Sequence, residues 1–61
     1  MQTRIVTEDM TYTIDLSPEE FMKEFLDDHF LFTKDFVRIK PLRRENNIYL
    51  NTRVILRVEE V

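Results

Sequence analysis

Ser17-Pro18-Glu19-Glu20 fixes the one place in this sequence where a helix has a marked beginning. Ser17 can accept from the backbone N–H of Glu20 while the Glu20 carboxylate reaches back to the Ser17 N–H. Pro18 suits the first helical position, where its missing donor would go unused. Behind that start, Phe21, Met22, Phe25, Leu26 and Phe30 recur at helical spacing, and Glu19, Glu20, Lys23, Glu24, Asp27 and Asp28 occupy the other side. The pattern predicts an amphipathic helix with its apolar stripe on a core, ending near His29 to Leu31.

On both sides of the helix the period changes to two. Thr11 to Leu16 sets Met10, Tyr12, Ile14 and Leu16 on one face and Thr11, Thr13 and Asp15 on the other, which predicts a strand feeding the helix. Arg4-Ile5-Val6-Thr7, followed by Glu8-Asp9, either continues that strand or forms the first arm of a hairpin. After the helix, Asp35 to Lys40 reads as a strand, and Asn47 to Val58 alternates for a dozen residues. That is roughly twice the usual strand length.

The chain has no Gly, so the turn between these last two strands is expected to rest on Asn46 and Asn47, the residue type that best tolerates positive φ. Pro41 lacks a donor and marks its strand as an edge or a bulge. Pairing Arg43 with Ile48 predicts Pro41 with Leu50, Ile39 with Thr52 and Val37 with Val54 on a core face. The opposite face then carries Phe36 across from Ile55, Arg38 from Arg53, Lys40 from Asn51 and Leu42 from Tyr49, with Arg57 beyond. A slip by one residue would exchange the faces.

One helix covers one side of a sheet, so the expected fold is a small α+β layer over residues 1–61, of order β(β)αββ, with the helix packed on one face of an antiparallel sheet. The other face needs cover from the N-terminal segment, from Phe30-Leu31-Phe32, or from a partner. Leu56 to Glu60 outruns its hairpin neighbour and needs either the N-terminal strand or a strand from a second copy.

Composition closes off several functions. A chain of 61 residues buries only roughly 60% of the surface it exposes when unfolded, so its core is thin. The absence of Cys removes disulfides, thiol catalysis and Cys-based zinc sites, and the absence of Gly removes the phosphate-cradling loops of nucleotide enzymes. No metal and no cofactor are expected. His29, the single His, sits near the expected helix end with neither Asp27 nor Asp28 on its face to orient it. So short a chain has little interior for a pocket of roughly 300 Å³ in which to shift carboxylate pKa values. No enzyme is expected. The first residues carry no long apolar run, which predicts a cytoplasmic protein without membrane contact.

Charge is unevenly spread. Residues 1–36 carry nine acids and three bases, and residues 37–61 three acids and six bases. Phe36, Arg38, Lys40, Leu42, Tyr49, Arg53, Ile55 and Arg57 combine apolar anchors with arginine, the mixture enriched at protein interfaces. They are the expected dimer or partner surface. Glu19, Glu20, Glu24, Asp27 and Asp28 form an acidic helix face that is either simply solvated or docks on a basic partner. The expectation is a homodimeric protein-binding module, by analogy with the compact accessory and inhibitor proteins of phages and mobile elements that block host proteins. The alternative is a small nucleic-acid-binding regulator in which Arg38, Lys40, Arg43, Arg44, Arg53 and Arg57 neutralise phosphates and Tyr49 and Phe36 act as stacking rings.

Overall fold

A computed structural model describes residues 1–61. The chain is α+β, with strands β1 (Thr3–Thr7) and β2 (Thr11–Ile14), helix α1 (Pro18–Phe25), then β3 (Phe36–Ile39), β4 (Ile48–Asn51) and β5 (Ile55–Glu60). The strands form two antiparallel sheets, one ordered β2-β1-β5 and one made of β3 and β4. Ile5, Ile14, Phe21, Val37, Ile39 and Leu50 form one buried cluster drawn from both sheets and the helix. No helix is long and apolar enough to cross a membrane.

The N-terminal segment is a hairpin. Thr7 builds its turn: the Thr7 N–H and hydroxyl both donate to the Met10 carbonyl (2.8 and 2.7 Å), and the Met10 N–H donates to the Thr7 hydroxyl oxygen (3.0 Å). β1 becomes the central strand because β5 takes its other edge, pairing Ile5 with Val58 and Thr3 with Glu60. The overhang of the C-terminal strand is thus answered by the N-terminal strand. A β-bulge shifts the register between Val6 and Thr7, leaving Leu56 as the extra residue, lifted into solvent.

The helix starts where the sequence says, with both halves of the capping box formed at Ser17 and Glu20. It stops at Phe25, several residues before the predicted end. The cause is Asp27, whose carboxylate accepts from the N–H groups of His29 (2.8 Å) and Leu31 (3.1 Å) and so offers the backbone a turn in place of further helix. Leu26 then bridges to Phe32, which brings Phe32 edge-on to Phe21 with ring centroids 6.4 Å apart. Phe30 leaves the apolar stripe: it takes φ 60° and is 70% exposed.

A bulky aromatic residue in the left-handed region is strained, whereas Asn occupies it readily. Phe30→Asn is therefore expected to stabilise the fold by a few tenths to about 1 kcal/mol, although it removes an aromatic ring. Urea denaturation checks this; a loss of stability would mean that the exposed ring makes a contact worth more than the strain.

The C-terminal half departs furthest from the predicted pairing. β3 and β4 align Phe36 with Asn51, Val37 with Leu50, Arg38 with Tyr49 and Ile39 with Ile48, a register moved by four residues. The shift is even, so the faces survive: Val37, Ile39 and Leu50 are buried and Phe36, Arg38 and Tyr49 point out. The turn does not rest on Asn46 and Asn47. Positive φ falls at Arg43 (68°) instead, Arg44 N–H donates to the Pro41 carbonyl (3.2 Å), and Leu42 N–H donates to the Thr13 carbonyl (2.8 Å). Pro41 is buried, and the long loop closes over the edge of β2 rather than turning tightly.

Nor is Asn47 to Val58 a single strand. The Asn51 side chain accepts from the Arg53 N–H (2.9 Å) and caps a 3-10 turn over Thr52–Val54, while Thr52 N–H donates to the Asp35 carbonyl (2.8 Å). This break sends Ile55 onward into the other sheet.

Candidate functional site

The two-sheet architecture divides the expected interface. Phe36, Arg38 and Tyr49 stay together on the outer face of the β3–β4 ribbon, with Arg38 directly opposite Tyr49 and the two rings 57% and 66% exposed. Lys40 and Leu42 follow in the loop after β3 and remain exposed. Arg53 sits in the 3-10 turn. Ile55 is turned inward, half-buried against the core, and Arg57 lies on the outer face of the three-stranded sheet beside Glu59 (3.2 Å). The predicted pairs Phe36–Ile55 and Arg38–Arg53 do not form, because the shifted register sets Phe36 against Asn51 and Arg38 against Tyr49, and the 3-10 turn carries Arg53 and Ile55 out of the ribbon.

The acidic set is divided as well. Glu19, Glu20 and Glu24 lie on α1, whereas Asp27 and Asp28 belong to the turn after it. Two of the five are already engaged: Glu20 accepts from the Ser17 N–H (3.4 Å) and hydroxyl (3.1 Å), and Asp27 holds the turn. His29 is exposed in that turn, with its N–H on the Asp27 carboxylate. No three His, Asp or Glu side chains converge as a metal site would require.

Arg57–Glu59 is the only ion pair in the structure. Lys34, Arg38, Lys40 and Arg43 therefore have no carboxylate partner, and Arg44 lies over the Tyr12 ring with its guanidinium carbon 5.4 Å from the centroid. These five cations surround a groove composed of two clefts. The first, of about 480 Å³, runs between Ile14–Leu16 at the end of β2 and Arg38–Arg44. The second, of about 500 Å³, runs from Thr33 and Lys34 past Phe36 and Val37 to Arg38. Both share Glu24, Phe25 and Arg38, so together they follow β3 along its whole length.

β3 pairs with β4 alone, and no other backbone hydrogen bond reaches Phe36 to Ile39. Alternate N–H and C=O groups of β3 thus point away from β4 without a protein partner. The whole chain makes 29 backbone–backbone hydrogen bonds, where a protein of this length ordinarily makes roughly 40.

The basic and aromatic residues of this surface, Arg43 and Arg44 among them, are legible in the sequence, but the groove and Lys34 are not. The sequence also offers Phe30 and Leu31 as possible cover, yet both are largely exposed, 70% and 62%, and only Phe32 packs inward. The clue to the turn was present in Asp27, a side chain that competes for backbone N–H groups wherever a helix runs short of stabilisation. No protein-family model, no curated protein and no solved structure matches this chain.

Proposed function

We propose that this is a small non-enzymatic protein-binding module that works by occupying a partner, as accessory proteins and inhibitors do. The observation that carries the reading is the outer β3–β4 face, where Phe36 and Tyr49 flank an Arg38 without a counter-charge. Aromatic rings beside arginine are the side chains that dominate binding energy at protein interfaces. The face has its own support, since Val37, Ile39 and Leu50 anchor the same two strands from beneath.

A heterologous partner suits this face better than a second copy. A two-fold contact lays the same patch on itself, which would gather Lys34, Arg38 and Lys40 of both protomers, none of them ion-paired, into one interface. The reading therefore expects a 7.5 kDa monomer in sedimentation equilibrium. It also expects that the double variant Phe36→Ala/Tyr49→Ala, folded by circular dichroism, no longer retains what wild type captures from a lysate. Equal capture by both proteins would rule the face out.

A further inference from the structure

We infer that the groove along β3 accepts an extended, acidic segment of a partner protein as an added antiparallel or parallel strand. The inference rests on the protein-binding reading above and specifies the partner's chemistry. Three features of the groove converge on it. Its floor is apolar, with Val37 and Ile39 buried and Phe25 half-buried. Its β3 side carries unanswered backbone groups, the element that strand addition uses for affinity. Its rim carries Lys34, Arg38, Lys40 and Arg43 without ion pairs.

The charge arrangement is one-sided. Asp15 and Glu24 lie on the wall opposite β3, so acids of the incoming strand belong over the β3 side and the loop after it. An extended chain alternates its side chains between two faces. The segment that fits therefore alternates acidic residues with aliphatic or aromatic ones, the second set entering the clefts beside Phe25 and Ile39. Four to six residues cover the length of β3 and the start of its loop, at about 3.3 Å per residue.

A second copy of β3 is a poor occupant. Edge strands carry charged side chains partly to deter such pairing, and self-pairing would bring the Arg38 and Lys40 side chains of both copies together. Single-stranded nucleic acid would satisfy the cations and could stack on Tyr49, but it has no backbone donors and acceptors at strand spacing to meet those of β3. It leaves the apolar floor unfilled as well.

The test uses the full chain and a synthetic hexapeptide of alternating Glu and Val, capped at both ends. Titration followed by backbone amide NMR is expected to shift Phe36 to Arg44 and leave Thr3 to Thr7 unmoved. A peptide of the same sequence N-methylated at alternate residues on the strand-pairing side should bind on the order of tenfold more weakly or worse, since it loses donors without losing charge. Arg38→Glu/Lys40→Glu should weaken the unmodified peptide on the order of tenfold, whereas Arg57→Glu, on the other sheet, should not.

Undiminished binding of the methylated peptide, tighter binding of an oligothymidylate than of the peptide, a dimer mass, or no peptide binding would each overturn the strand-addition inference. Its failure is separable from that of the broader reading. If the peptide does not bind but Phe36→Ala/Tyr49→Ala still abolishes capture, the protein-binding surface stands and only the edge mechanism falls.

Discussion

Phe21→Ala is expected to leave this protein largely or wholly unfolded at room temperature. Phe21 is fully buried and is the one helix residue in the core cluster, so it ties α1 to both sheets. Its ring also meets Phe25 at 5.0 Å and Phe32 at 6.4 Å, contacts that close the turn after the helix onto the body of the protein. Truncating a buried Phe costs about 3–5 kcal/mol. The stability of a folded chain of this length is about 3–9 kcal/mol at 0.05–0.15 kcal/mol per residue. Chemical denaturation of wild type and variant measures the difference directly. A loss below about 1 kcal/mol would mean that the helix is not held by this ring, and the architecture described above would need revision.

Ile5→Ala should be the next most damaging change, at about 2–5 kcal/mol. Ile5 is fully buried at the middle of the central strand, between Tyr12 of β2 and Val58 of β5, and neither neighbour can collapse into the void without breaking register. Val6 supplies the control. It points to the other face of the same sheet, opposite Thr11 and Arg57, where it is only half-buried. Val6→Ala should cost less than half as much. Equal costs would contradict the assignment of inner and outer faces.

These two positions also mark what could be read from the residues alone. Phe21 declares itself through helical spacing behind a capping box, and the capping box is local chemistry confined to Ser17 and Glu20. Strand faces are equally local, because the side-chain period of two holds whatever the pairing; this is why Val37, Ile39, Phe36 and Arg38 fall on the expected sides although their partners do not. Pairing depends on turns, and there the residues misled. Asn46 and Asn47 are suited to positive φ, yet burial of Pro41 and the Leu42–Thr13 hydrogen bond draw the chain over β2 and place the left-handed residue at Arg43. The division into two sheets rests on Asn51 capping a short 3-10 turn, a signal hidden inside an uninterrupted alternation. The groove was illegible for the same reason: it lies between β3 and the ends of β2 and α1, elements whose separation in space no local pattern records.

The arrangement of β1 between β2 and β5 has a kinetic consequence. Ile5 meets Tyr12 across a short hairpin but meets Val58 only after nearly the whole chain has been brought round. Closing the longer loop costs about 2 kcal/mol more in chain entropy than closing the hairpin. The hairpin can therefore form early while β5 arrives late, and the folding rate is governed by that last, distant pairing. Until it docks, the central strand presents an open edge with Ile5 on its inner face, and that brief interval is when the molecule is most exposed to association with other unfolded chains.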